Sequence, residues 1–141
     1  MKLIILAAGY ATRLYPLTLT RPKPLLPVAG KPMIDHVLDN LAAIPGIERV
    51  FIVTNAKFAD QFQSWAEDYR ARKTPLDFTI VNDGSTADSN KLGAIGDLHL
   101  VITRENVDDD IIVVAGDNLF SESLEPFGRF CREKNAPVLG V

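Results

Sequence analysis

Five short apolar runs, Leu3–Leu6, Val50–Val53, Phe78–Val81, Ile111–Val114 and Val138–Val141, recur along this chain between segments of helical period. Each run is aliphatic or β-branched and bounded by turn formers. That pattern belongs to strands buried on both faces, as in a parallel sheet. Between the runs, Ile34, Val37, Leu38 and Leu41 fall at i, i+3, i+4 and i+7. Pro32 suits the first helical position of this segment and Asp35 its first turn. Phe58, Phe62, Trp65, Ala66 and Tyr69 make a second stripe, with Thr54 or Asn55 as its cap. Leu92, Ile95, Leu98 and Ile102 make a third, and Leu124, Phe127, Phe130 and Cys131 a fourth. The order β-α-β-α-β-α-β-α-β predicts an α/β fold, a doubly wound, mostly parallel sheet with helices on both faces. The 141 residues make one domain, 1–141, without repeats or linkers. The last run reads as a buried strand, so the fold is expected to want more chain than is present.

The first crossover is unusually long. Residues 7–31 separate the first run from the helix start at Pro32, where roughly 2–6 residues are common, and such loops are functional or disordered. Pro16, Pro22, Pro24 and Pro27 stiffen this one, which argues for function. From Met1 to Ile34 the chain carries Lys2, Arg13, Arg21, Lys23 and Lys31 and no acid, a charge of +5 against −8 for the remainder. A stiff, positive loop ending the first strand of an acidic protein is a place for a bound phosphate.

Composition excludes several classes. Hydrophobic residues at 47% and charged residues at 23% describe a soluble globular chain, not a disordered one. The acidic remainder argues against a nucleic-acid partner, which wants a broad basic face. Cys131 stands alone, so no disulfide or thiolate metal site forms within one chain. The apolar stretch after Lys2 is too short for a secretory core or a membrane span, and a cytoplasmic protein with no membrane partner is expected. His36 and His99 read as structural, Asp108-Asp109-Asp110 as a solvated run, and Asp83-Gly84-Ser85-Thr86 as a turn.

In doubly wound sheets ligands bind beyond the carboxyl ends of the strands, so the Gly9 loop and the Asp117 turn should face one crevice. A P-loop needs a glycine-rich stretch ending in Gly-Lys-Ser or Gly-Lys-Thr, which this chain lacks. A dinucleotide fingerprint fits poorly: Gly9-Tyr10-Ala11-Thr12-Arg13-Leu14 keeps one glycine, and Thr54-Asn55 supplies no acid for a ribose. Gly9-Tyr10-Ala11-Thr12-Arg13-Leu14-Tyr15-Pro16 and Arg21-Pro22-Lys23-Pro24-Leu25-Leu26-Pro27-Val28-Ala29-Gly30-Lys31-Pro32 resemble instead the signature of the sugar-phosphate nucleotidyltransferases. These are the pyrophosphorylases that make nucleoside-diphosphate sugars, with relatives that activate choline phosphate. Gly116-Asp117-Asn118 and, more loosely, Asn90-Lys91-Leu92-Gly93-Ala94-Ile95 carry the resemblance along the chain. Ala11 stands where the family usually has a second glycine, and Asn90 where many members have glycine. The family's Glu-Lys-Pro segment and second metal-binding aspartate are not in this sequence.

The resemblance implies a Rossmann-like fold of the nucleotide-diphospho-sugar transferase type, its sugar-binding portion absent. It implies attack by a sugar-1-phosphate, or a similar phosphomonoester, on the α-phosphorus of a nucleoside triphosphate (dTTP, UTP or CTP), with pyrophosphate released. Arg13 would grip the β- and γ-phosphates and Lys23 would place a point charge beside the α-phosphate. Asp117 would hold Mg²⁺. Leu6, Ala7, Ala8, Gly9 and Thr12 would line the nucleotide, with Asn82, Asn90 and Gly93 near the base. A non-catalytic nucleotide-binding or regulatory module derived from such an enzyme is the alternative, and a truncated enzyme a third reading. Apolar surface near Val138–Val141 predicts self-association as a homo-oligomer.

Overall fold

The computed structural model describes residues 1–72 and 76–140. In chain order they form β1 (Lys2–Leu6), a short hairpin of β2 (Pro27–Val28) and β3 (Lys31–Pro32), α1 (Met33–Leu41), β4 (Arg49–Thr54) and α2 (Ala59–Arg72). Then follow β5 (Asp77–Asn82), α3 (Gly93–Arg104), β6 (Ile111–Ala115) and α4 (Glu125–Lys134). The main sheet runs β5-β4-β1-β6 with every pairing parallel. The chain moves outward from β1 to β4 and β5, then returns to the far side of β1 with β6. The switch point therefore lies between β1 and β6.

Strand alternation sorts the side chains onto two faces. Leu3 and Ile5 of β1, with Val50 and Ile52 of β4, meet α1 through Ile34, Val37, Leu38 and Leu41. Phe62, Trp65 and Tyr69 of α2 complete that face, and the Trp65, Tyr69 and Phe78 rings pack with centroids 5.3–5.5 Å apart. On the other face Ile4, Phe51, Val53 and Val81 meet Val101 of α3. Helices thus cover both faces, as the alternation predicts. Among the described residues no helix is long and apolar enough to cross a membrane.

Several expectations change. Residues 138–140 form no strand, Leu139 is 82% exposed, and Val141 lies outside the described residues. An apolar run becomes a strand when a neighbour takes up its backbone groups, and no such pairing forms on the outer edge of β6 among the described residues. The third stripe is largely not a core face. Asp97 and Val101 are the buried residues of α3, whereas Leu92, Ile95 and Ile102 are exposed. Val101 sets the rotation of the helix on the sheet, and those three positions lie roughly 100–180° around from it. Finally, Thr54 and Asn55 do not cap α2, which starts at Ala59, and the Asn55 amide turns instead to the Ala8 carbonyl at 3.0 Å. Pro32 sits just ahead of α1, paired with Pro27 in the hairpin.

Candidate functional site

The carboxyl end of β1 is pinned from both sides. Ala7 N donates to Val53 O at 2.8 Å and Gly116 N donates to Leu6 O at 2.9 Å, while the Asn55 amide holds Ala8 O. These bonds lay Leu6-Ala7-Ala8-Gly9 across the switch point. Ala7 and Ala8 are buried and Gly9 is exposed.

Beyond Gly9 the loop turns at Ala11, whose φ of 48° is left-handed, and a 3-10 turn over Thr12–Leu14 carries Thr12 and Arg13 to the surface. The buried Thr18 hydroxyl donates to Ala11 O at 2.8 Å and holds the bend. The left-handed region costs an alanine about 1–2 kcal/mol. Ala11→Gly is therefore expected to keep the fold and to gain up to about 1 kcal/mol, after glycine's larger entropy loss. Urea unfolding checks this, and a destabilised variant would show that the methyl group packs.

In a second 3-10 turn, Lys23–Leu25, Lys23 stands between the buried Pro22 and Pro24. Pro24 rests on Gly116, where an added Cβ would come within 3.2 Å of Pro24 Cγ and Ile5 Cγ2. The missing side chain lets the proline seat at the end of β6. In consequence Lys23 Nζ donates to Asp117 Oδ2 at 2.6 Å, with side chains 33% and 37% exposed.

Three of the five cations before Asp35 are neutralised by tertiary partners. Lys2 pairs with Glu48 and Asp109, Lys23 with Asp117, and Lys31 with Asp39. Arg13 and Arg21 have no ion-pair partner among the described residues. The positive charge available to a ligand is narrower than composition suggests.

The opposite flank follows β5. Asn82 Oδ1 accepts from Gly84 N at 2.8 Å. Asn90 turns its side chain into its own loop, accepting from Thr86 N at 3.1 Å and Ala87 N at 3.0 Å. Gly93 opens α3 at φ +77°, a conformation that suits glycine. Tyr10 OH lies 3.4 Å from Ser85 Oγ, which joins this flank to the first loop.

Asp83-Gly84-Ser85-Thr86, expected as a turn, is irregular backbone beyond β5, in which Ser85 is 3% exposed and donates to Asp83 Oδ1 at 2.7 Å. Asp97 is missed by sequence reasoning altogether, its one trace being an acid inside an apolar helix. Its carboxyl is pushed up to about 6, first by burial and then by the neighbouring Asp83 carboxylate.

Among the described residues no three His, Cys, Asp or Glu side chains converge as metal ligands. Asp117 offers a single hard carboxylate, 2.6 Å from Lys23 Nζ. Magnesium binds through one or two carboxylates plus phosphate oxygens, so this donor set fits it in company with a triphosphate. Two grooves lie elsewhere, of about 250 Å³ around Leu41 and Ile44 and about 680 Å³ between Lys31 and α2. Neither takes in Arg13, Lys23 or Asp117, so chemistry rather than concavity marks the site.

A family model described as "Nucleotidyl transferase" matches residues 2–141. A Sulfolobus acidocaldarius protein, provisionally named a mannose-1-phosphate guanyltransferase, is 38% identical over 81% of this chain and 29% of its own length. The UTP–glucose-1-phosphate uridylyltransferase AglF of Haloferax volcanii is 31% identical over 96% of this chain and 51% of its own. The chain thus spans between under a third and about half of these relatives. Among solved structures, a provisionally named glucose-1-phosphate thymidylyltransferase from Bacillus anthracis, in complex with a sucrose, superposes with a TM-score of 0.73. It is 28% identical and covers 94% of this chain and 50% of that one.

Proposed function

We propose a function from one premise: this chain belongs to the nucleotidyl transferase family. Its crevice binds a nucleoside triphosphate with Mg²⁺ and serves transfer of the nucleoside monophosphate to a sugar-1-phosphate. The observation that carries this reading is the meeting of Lys23 and Asp117 at the switch point, 94 positions apart in sequence and 2.6 Å apart in space.

An oxygen of the acceptor phosphate attacks the α-phosphorus. The bond from that phosphorus to the bridging oxygen breaks, and the electron pair leaves with pyrophosphate. The chain's part is to hold two anions in line and offset the charge moving onto the leaving group. Arg13, exposed and without an ion-pair partner among the described residues, presents its fork to the β- and γ-phosphates. Lys23 turns from Asp117 to the α-phosphate once phosphates supply negative charge. Asp117 would hold a magnesium ion, whose charge would offset that of the phosphates. Leu6–Gly9 and Thr12 border the nucleotide, with Asn82, Asn90 and Gly93 on the base side. A cytoplasmic location accords with a triphosphate substrate.

One observation favours a second reading, a nucleotide-binding module without turnover: among the described residues Asp117 belongs to no cluster of three or more His, Cys, Asp or Glu side chains. Thermal unfolding with Mg²⁺ and each nucleoside triphosphate in turn tests binding. At about 100 times its dissociation constant a ligand adds about 2.7 kcal/mol, a rise of several degrees. No rise with any triphosphate rejects both readings. A rise accompanied by pyrophosphate release supports the first, and a rise without it the second.

A further inference from the structure

We infer that Asn55 is a positioning residue for the nucleoside. Its buried amide holds the Ala8 carbonyl and so aims the Gly9 N–H out of the sheet, toward a nucleoside oxygen. This rests on the nucleotide-binding reading, in which Leu6–Gly9 borders the nucleotide, and deepens it.

Asn55 directly follows β4 and is fully buried. The residues around it clamp two segments at once. Val53 O accepts from Ala7 N at 2.8 Å, and the Asn55 amide donates to Ala8 O at 3.0 Å. On the other side Thr54 O accepts from Asp83 N at 2.8 Å, and Ala56 N donates to Ser85 O at 2.9 Å. Asn55 is the member of this clamp that acts through its side chain. The register explains why: β1 ends at Leu6, opposite Val53, so the ladder runs out where Ala8 leaves the sheet. A side-chain amide reaches further than a backbone N–H and catches the departing carbonyl. A carbonyl only accepts, so the amide nitrogen is the atom that faces it. Asn55 Oδ1 is left buried without a hydrogen-bond partner among the described residues. Such an atom is destabilising, and packing alone favours an apolar side chain at this position. What the residue supplies is the donor.

The consequence for Gly9 follows from peptide geometry. The Ala8–Gly9 peptide is trans, so its C=O and N–H point in opposite directions within one plane. With Ala8 O turned inward to a buried side chain, Gly9 N–H turns outward. Gly9 is exposed, and among the described residues its N–H has no acceptor. A Cβ built on it would meet nothing within 4 Å, so a free donor borders open space. Its place selects the part of the ligand. Tyr10, the next residue, lies 3.4 Å from Ser85 on the base-side flank. Arg13 and Lys23, the charged groups that suit phosphates, come later in the loop. A neutral N–H beside that flank suits a neutral oxygen of the ribose or base.

The experiment titrates the 141-residue chain with magnesium–UTP and follows affinity, the Gly9 amide signal and the Arg13 Nε signal by nitrogen-15 NMR. Asn55→Leu removes the donor at nearly constant shape. Thr54→Val is the control, since it removes a neighbouring buried hydroxyl that also lacks a partner and leaves the Ala8 anchor intact. In the wild type and in Thr54→Val, UTP should move both signals. In Asn55→Leu affinity should fall about tenfold, the effect of one hydrogen bond. The Gly9 response should then be lost while the Arg13 response at saturation is kept. A merely structural role would remove both responses together, and that result overturns the inference. So does an Asn55→Leu variant with wild-type affinity and Gly9 response. UTP bound by the wild type without moving Gly9 overturns the inference and leaves the nucleotide reading standing. No UTP binding by the wild type rejects both. Should Asn55→Leu not fold, Asn55→Ser, whose hydroxyl stops one bond short of the amide nitrogen, is read in the same way.

Discussion

Lys23→Ala is expected to cut the triphosphate-dependent rise in melting temperature by half or more while costing the ligand-free chain no more than about 1 kcal/mol. The two effects differ because the surroundings of the charge differ. In the free chain Lys23 and Asp117 are each about a third exposed, so water solvates whichever partner is left alone. With a triphosphate bound, water is displaced and the ammonium faces phosphate oxygens. A hydrogen bond between charged groups there contributes about 1.5–3 kcal/mol, or roughly 10- to 150-fold in affinity. Turnover should fall further, by about 10²–10³, because charge moves past Lys23 in the transition state. Lys23→Arg should rescue poorly, since a planar fork between two prolines does not reproduce a compact point charge. Asp117→Asn supplies the contrast, with triphosphate binding kept in part and its magnesium dependence lost. Calorimetric titration of the three variants separates these outcomes. Wild-type affinity in Lys23→Ala would place the site elsewhere.

Asp35→Ala should damage the fold far more than Lys23→Ala does, at about 3 kcal/mol and roughly 10 °C in melting temperature. Asp35 is fully buried, accepts from Trp65 Nε1 at 2.8 Å and lies 3.3 Å from the Arg72 guanidinium. Truncation orphans the indole N–H inside the main core and leaves a void between α1 and α2. The Arg72 contribution is smaller, because that side chain is half exposed and regains water. Asp35→Asn keeps an acceptor for Trp65 and should cost about 1 kcal/mol. Urea unfolding followed by Trp65 fluorescence distinguishes the two. Equal losses in both variants would assign the effect to charge rather than to the orphaned donor.

The order of elements was readable from residues alone. β1, β4, β5 and β6 are strands covered by helices, so their sequences are continuous apolar runs. The α1 stripe held because that helix lies along the sheet on one face, burying Ile34, Val37, Leu38 and Leu41 together. The α3 stripe did not, because periodicity reports that a helix has an apolar side and not which side a sheet will take. Asp35 looked like a first-turn acid favoured by the helix dipole, and its tie to Trp65 depends on where α2 docks. Residues 138–140 share the composition of the four strands but lack a pairing neighbour among the described residues.

At the site, the proline-braced cations and the Gly116-Asp117 turn were visible because local chemistry and charge are written in sequence. What the sequence determined by itself is therefore the strand-helix alternation, the stiff basic loop and the identity of its charged residues. Which charges meet was decided by tertiary structure. Lys23 reaches Asp117 because parallel pairing brings the ends of β1 and β6 together and Gly116 admits Pro24. Asp97 finds Asp83 because Val101 fixes the rotation of α3. Hydrogen bonds and ion pairs act over a few ångströms, and only the packed fold places residues remote in sequence within that range.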